Sequence, residues 1–378
     1  MAGLTTLQSI LYDGYGNVST GPLPLGEGLS ATIKDVAREA GVSIGTVSRA
    51  FNGNGPIREA TRQRVLTTAE ALRYVPNSAA RSLITRRTMT IGVLLPDLYG
   101  EFFSEVIRGI DTAARRLQYH LLVSSSHNDT EEIRAALRAM RGRVDGLIVM
   151  SPNIEARTLE ANFPPHLPIV LLNCRVEGGA YDSINVDNFG GAHSMTRHLL
   201  DAGHRRIAFV RGPRENYDAE ERLRGYRAAL IEYGLECCPE WEVTGDFTEA
   251  GGERAASELL NRHTRPSAVF ASNDSTAIGV LSALRAAGSR VPEDVAVAGF
   301  DDIPVARYLT PPLTSVGVSI TGLGGFATDK LLRAIAERNE HAKQNEILPV
   351  RLTVRDSTAA RADEPQGSLR SRLSHPAA

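Results

Sequence analysis

Cysteine is scarce in this chain. Cys174, Cys237 and Cys238 are the full complement of its 378 residues, the last two are adjacent, and no C-x-x-C or cysteine–histidine spacing surrounds them. That pattern excludes a disulfide framework and a zinc site. Long apolar runs are missing too: no uninterrupted stretch approaches the ~20 residues needed to cross a bilayer. Residues 1–28 contain neither Lys nor Arg and no sustained apolar segment, so they do not resemble a signal peptide, and a cytoplasmic location is expected. There is no phosphate loop, no G-x-G-x-x-G and no metal-binding histidine pair, which removes the usual sequence routes to nucleotide- or metal-dependent catalysis. No cofactor and no metal are expected, and the chain is not expected to be an enzyme.

An excess of charge is also lacking, since 42 Lys and Arg face 44 Asp and Glu for a net charge of −2. Taken over the whole body, that balance argues against a nucleic-acid partner. The distribution argues otherwise. Between Ala31 and Arg87 ten basic side chains face four acidic ones, a local charge of +6 that leaves about −8 on the remainder. A small basic module is therefore joined to a larger acidic body. With 42% hydrophobic residues the length suffices for two or three domains with buried cores.

Residues 1–30, ending in "GNVSTGPLPLGEGLS", are rich in Gly, Pro and Ser and show no periodicity; they read as a disordered leader. From Thr32, "TIKDVAREAGVS" sets Ile33, Val36, Ala37 and Ala40 at helical spacing behind a Thr32–Asp35 capping box, and Gly41 ends that helix. Ser43 caps a second helix whose inner face is Val47, Ala50 and Phe51. After "NGNGP", "IREATRQRVLTTAEALRYV" gives a third, with Val65, Leu66, Ala69 and Leu72 inward. These make a three-helix domain over residues 31–76. Pro76 blocks continuation, Asn77 can cap a fresh start and "SAARSLI" is only about two turns long, so residues 77–88 read as a conditional helix and linker, marginal in isolation.

From Met89 onward amphipathic helices alternate with the apolar runs "TIGVLLP", "HLLVSSS", "GLIVMS", "IVLLN", "RIAFVRG", "AVFASND", "VAVAGFDD" and "LPVRLTV". Continuous apolar strands of this kind predict parallel sheets covered on both faces. Eight of them over residues 89–357 predict two doubly wound lobes, one spanning about 89–186 and 318–345, the other about 187–317 and 346–357. Ligand groups then belong at the carboxyl ends of strands. Residues 358–378 have no heptad seam and read as a loose tail.

Residues 41–45, "GVSIG", fit the G-x-S-x-G of a hydrolase nucleophile elbow. Such an elbow needs a buried strand leading into the serine, and here an amphipathic helix leads in. Helix, turn and helix on a basic segment point instead to DNA. The ordered series "TIKDVAREAGVSIGTVSRAFNG", "TRQRVLTTAEALRYVPNSAARSL", "TIGVLLPD", "VDGLIVMS", "GHRRIAFVRGP", "ERLRGYRAAL", "ASNDSTAIGVLSALRAAGSRVPEDVAVAGFDD" and "LTPPLTSV" resembles the LacI/GalR family of bacterial repressors over roughly residues 31–357. The resemblance implies a small all-α helix-turn-helix DNA-binding domain followed by an α/β periplasmic-binding-protein-like core of two doubly wound lobes. It also implies a homodimer on pseudo-palindromic double-stranded operator DNA.

The same resemblance assigns residues. The second helix would lie in the major groove with Ile44, Gly45 and Arg49 at base-reading positions. Arg49 suits a bidentate contact with guanine O6 and N7, Ile44 reaches only a thymine methyl or a sugar, and Gly45 brings no side chain. Relatives with polar groups at both of the latter sites differ from this chain. Thr32, Ser43, Thr46, Ser48 and Asn52 complete the DNA-binding set as phosphate or packing contacts. Asn77, Ala80 and Leu83 correspond to a hinge helix whose leucine wedges open the minor groove. In the core, a small-molecule effector would lie between the lobes against Arg222, Asn273 and Asp301, with Phe247 and either Phe103 or its neighbour Phe102 stacked on it. Those donors and acceptors suit a sugar or polyol. The expected function is repression of a carbohydrate-utilisation operon, with operator affinity controlled by the effector through a population shift. A sugar-binding protein of the periplasmic type, without DNA function, would share the core and lack the basic module.

Overall fold

The structure, a computed structural model, describes residues 11–12, 18–19, 31–52, 55–75, 87–151, 154, 156–164, 166–174, 181–337 and 342–359, with only the backbone of Asn52 and Ala156. The chain divides into two compact units, Met1–Arg86 and Arg87–Ala378. Within the stretch read as a leader, β1 (Leu11–Tyr12) pairs antiparallel with β2 (Val18–Ser19). The rest of that leader, most of the 77–88 linker and the tail beyond residue 359 lie outside the described residues.

In the amino-terminal unit the capping signals are used as written. Thr32 Oγ1 accepts from Asp35 N at 3.4 Å and Asp35 Oδ2 accepts from Thr32 N at 3.0 Å, which opens α1 (Ile33–Glu39). These bonds to the ionised carboxylate hold the Asp35 pKa below its ordinary value. Gly41 takes the left-handed φ of +64° that reverses the chain. Ser43 Oγ then accepts from Thr46 N at 3.2 Å and starts α2 (Ile44–Asn52). α3 (Glu59–Ala71) is shorter than its sequence pattern, because Arg58 offers no side-chain cap and Arg73 turns left-handed at φ +49°. Val36, Val47 and Val65 are fully buried at the centre, with Ala37, Ala40, Ala50 and Ala69 around them. Leu66 and Leu72, expected inward, are half-buried.

The larger unit holds two six-stranded sheets. The first contains β3 (Thr90–Leu95), β4 (His120–Ser125), β5 (Gly146–Val149), β6 (Ile169–Leu172), β7 (Asp182–Val186) and one late strand, so the second begins at β8 (Ile207–Val210). It continues through β9 (Glu242–Val243), β10 (Ala268–Ala271), β11 (Ala296–Asp301) and β12 (Thr314–Gly317). The late strand of the first sheet is β13 (Asn345–Leu348), and β14 (Arg351–Thr353) closes the second. Strand order is 13-7-6-5-3-4 in the first sheet, parallel throughout, and 14-12-11-10-8-9 in the second, where only β14 runs antiparallel. Every residue of β5, β6, β8, β10 and β11 is buried, as sheets covered on both faces require.

The covering helices are α4 (Glu101–Arg116), α5 (Thr130–Met140), α6 (Ala156–Asn162), α7 (Asn188–Asp201), α8 (Tyr217–Glu232), α9 (Glu249–Leu260), α10 (Asp274–Ala286) and α11 (Ile320–Glu337). The chain passes between the sheets three times: after β7, after β12, and between β13 and β14. That last passage corrects the reading of "LPVRLTV" as one strand. Pro349 has no amide hydrogen to give a ladder, so Leu348 ends β13 in one lobe and Arg351 begins β14 in the other.

Three helix crossings are close enough to exclude a side chain. A Cβ on Gly279 would lie 1.9 Å from the Glu249 carbonyl oxygen, one on Gly252 2.0 Å from that of Thr276, and one on Gly109 2.1 Å from that of Thr321. The α9–α10 and α4–α11 backbones therefore touch directly. Gly279→Ala must push α9 off α10, and overpacking of this kind costs about 1–3 kcal/mol. The expected result is a lower unfolding midpoint in urea; an unchanged midpoint would show that the crossing relaxes freely.

Candidate functional site

Between the two lobes, at the carboxyl ends of the strands, lies a cavity of about 580 Å³. The first lobe lines it with the 97–103 segment leading into α4 and with Asn173 after β6; the second contributes Asp218, Arg222, Phe247, Asn273 and Asp301. All six effector-contact residues expected from the sequence, Phe102 and Phe103 included, are on this wall.

Arg222 is the hub. It is 5% exposed on α8. Nε donates to Asn188 Oδ1 at 2.8 Å, Nη1 to the Ser272 carbonyl at 2.6 Å and Nη2 to Asp301 Oδ1 at 3.3 Å. Its guanidinium carbon sits 3.8 Å from the centroid of the Phe300 ring, a desolvated cation–π contact. Asn188 Nδ2 in turn donates to Asp218 Oδ1 at 2.9 Å. One guanidinium thus serves two buried carboxyl groups, one through a direct bond and one through an amide.

Burial outweighs that compensation. Both the Asp218 and the Asp301 carboxyl are pushed up to about 6, with desolvation the dominant cause and Arg222 pulling the other way. Asp301 stands at φ +107° and Asp302 at φ +54°, backbone conformations that the surroundings must impose. Asp274 supplies the restraint: its Oδ2 accepts from Ile303 N at 2.8 Å and its Oδ1 from Ser315 Oγ at 2.6 Å. Fully buried and close to Asp301, its carboxyl is held well above the usual range, first by desolvation and then by that neighbouring charge.

Asn273 is occupied differently from the open donor and acceptor that its place at a strand end suggests. Its Oδ1 caps α10 by accepting from Thr276 N at 3.0 Å, and its Nδ2 donates to the Phe247 carbonyl at 3.1 Å. It therefore holds Phe247, which is left-handed at φ +67°. Gly212 makes room for that ring, since a Cβ there would meet Phe247 at 2.5 Å. Phe102 and Phe103 pack edge to face with centroids 5.5 Å apart on the opposite wall. Beside them Glu101 Oε2 accepts from Val305 N at 2.9 Å, a bond across the cleft.

Sequence reasoning passed over Asn173, Asn188 and Asp218. Two signals were available: Asp218 stands four residues before Arg222, hence on the same helical face, and Asn173 ends the apolar run "IVLLN".

On the amino-terminal unit, Ser43, Ile44, Gly45 and Arg49 are exposed together along α2, and Thr46 and Ser48 are half-buried beside them. Arg49 Nη2 donates to Thr46 Oγ1 at 3.2 Å. Thr32 and Ser43 are engaged as helix caps. The Asn52 side chain and all of Asn77, Ala80 and Leu83 fall outside the described residues.

A family model described as bacterial regulatory proteins, lacI family, matches residues 32–77, and one for a periplasmic binding protein-like domain matches residues 196–358. The ribose operon repressor of Escherichia coli (strain K12) is 37% identical over 323 residues, which is 85% of this chain and 98% of that repressor. The chain belongs to the LacI family of bacterial regulatory proteins. As a LacI-family member it is a DNA-binding transcriptional regulator with an effector-binding core. Similar solved structures include the lac repressor dimer bound to operator and the anti-inducer ONPF, 29% identical with a TM-score of 0.77, covering 87% of this chain and 99% of that one. The complex of the transcriptional regulator CelR with cellobiose is 33% identical with a TM-score of 0.66, covering 86% of this chain and 99% of that one. Among the described residues of this LacI-family chain no helix is long and apolar enough to cross a membrane.

Proposed function

We propose that this LacI-family regulator is a cytoplasmic repressor of a carbohydrate-utilisation operon, binding a pseudo-palindromic operator as a homodimer, with operator affinity set by a sugar held between its lobes. The observation that carries the reading is the Arg222 hub: a buried fork joining Asn188 and Asp301 on the wall of a 580 Å³ cavity rimmed by Phe102, Phe103 and Phe247. Carboxylates and amides bind hydroxyl groups, and the rings cover the apolar faces of a sugar. Three relatives support the class, being named for ribose, cellobiose and the lac operator.

Control follows from the topology. A ligand bridging both walls favours the closed arrangement of lobes joined by three crossings, and the ligand can shift the equilibrium only by its differential affinity for the two arrangements. In a dimer, closure changes the spacing of the two amino-terminal lobes and so the fit of two DNA-binding units to two half-sites. The coupling is reciprocal, typically about 1–3 kcal/mol. The test is a gel shift against promoter fragments of adjoining sugar-utilisation genes at fixed salt, with and without a panel of sugars. Retarded fragments whose affinity changes with one sugar are expected. Retardation that no sugar alters would overturn the reading.

On the DNA side, Arg49 is the base-reading side chain of α2. Arg49→Ala is expected to weaken operator binding by about tenfold to a hundredfold and to relax preference at one base pair per half-site, while calorimetry finds sugar affinity intact. Uniform weakening on every sequence would make Arg49 a phosphate contact instead.

A further inference from the structure

We infer that the effector is an uncharged polyol, and that Asn173 accepts one of its hydroxyl groups from the first lobe while Asp218 and Asp301 accept others from the second. This deepens the sugar-effector reading and rests on it.

Asn173 lines the cavity and is 6% exposed, and its Oδ1 is covered with no hydrogen-bond partner among the described residues. The other end of the same amide is engaged: it hydrogen-bonds the Asp218 carboxyl, which fixes the orientation of the group. The Asn173 backbone sits at φ +47°, in the left-handed region. A buried acceptor left open on a strained residue at the end of β6 is the arrangement a donor from the ligand completes.

Charge selects the class of that donor. Seven carboxyl side chains line the cavity against two guanidiniums, Arg214 and Arg222. Arg222 already donates to Asn188, Ser272 and Asp301. A phosphate or carboxylate entering here meets a surplus of negative charge while the central cation is engaged with protein. A hydroxyl meets none of that repulsion. It donates to Asn173 Oδ1, to Asp218 or to Asp301, and it accepts from the guanidinium edge. Because Asn173 and Asp218 stand on opposite lobes, one polyol satisfying both also draws the lobes together.

The experiment is calorimetry and thermal shift on the full-length protein. An aldopentose, an aldohexose and a disaccharide are each supplied unmodified, phosphorylated, oxidised to the uronate, and as the amino sugar. One unmodified sugar is expected to bind ~tenfold or more tightly than any of its charged forms. Asn173→Gly, which keeps the left-handed backbone, is expected to weaken that sugar about tenfold, and Asn173→Asp, which keeps an acceptor there, to retain it; unliganded midpoints report that both variants fold. A charged form binding more tightly than its parent overturns the inference and leaves the sugar-effector reading standing. Unchanged affinity in Asn173→Gly, or loss in a folded Asn173→Asp, overturns the role of Asn173. Silence from every compound sinks both readings.

Discussion

Replacing Arg222 by leucine is expected to abolish the effector response and to lower the unfolding midpoint of the core by about 5–10 °C above neutral pH. The size follows from what is left behind. The Arg222 and Asp301 side chains are each 6% exposed, and Asp218 depends on the same guanidinium. Removing one partner of a buried ion pair costs about 3–5 kcal/mol, because the remaining charge stays desolvated without a counter-ion. Three acceptors lose their donors as well: the Asn188 amide, the Ser272 carbonyl and Asp301. Leucine fills part of the volume and none of that chemistry. Arg222→Lys separates the two losses. It keeps the charge but offers a single nitrogen where three different nitrogens now point at three partners, so a midpoint nearer that of the parent and a lost sugar response are expected. Differential scanning calorimetry with and without sugar reads both. Equal midpoints for the parent and the leucine variant would show that Arg222 is not the counter-charge of this cluster.

The parts of the molecule that local chemistry decides were legible in the sequence. The Thr32–Asp35 capping box, Gly41 and Ser43 punctuate α1 and α2 where the pattern places them, and the fully buried strands β5, β6, β8, β10 and β11 are unbroken apolar runs. What stayed hidden is non-local. β7 alternates buried with half-buried residues and reads as a polar linker until β6 and β13 flank it. β9 and β12 are two and four residues long, too short for a periodic signal. In the site, Arg222 and Asp301 stand 79 residues apart and Arg222 and Asn188 stand 34 apart, so only the doubly wound topology could bring them together. Family resemblance supplied Arg222 and Asp301. It did not supply Asp218, whose burial beside them is a property of this packing, and it suggested for Asn273 an open amide that is in fact committed to capping α10 and holding Phe247.

That packing makes stability and sugar affinity respond to pH in opposite directions. Asp218 and Asp301 titrate near 6 in the folded core, against an ordinary value of 3.8. As the two interact, their protons come off as a coupled pair. Between about pH 4 and pH 6 the folded core holds protons that the unfolded chain has already released, so its stability falls as pH rises through that window and levels off above it. Asp274, held higher still by burial, adds to the same slope. A sugar hydroxyl that donates to either carboxylate needs it ionised, so affinity moves the other way. From pH 5 to pH 7 it is expected to rise about tenfold for each carboxyl that must lose its proton, and binding near pH 6 is expected to release protons into the buffer. Calorimetry in two buffers of different ionisation enthalpy measures that release directly. Asp218→Asn leaves Asp301 as the one remaining titrating acceptor, and it should halve the logarithmic slope while raising stability at neutral pH, where a buried charge has been removed. Affinity that stays flat from pH 5 to pH 7, with no proton released, would mean that neither carboxylate accepts from the ligand and that Arg222 alone holds it.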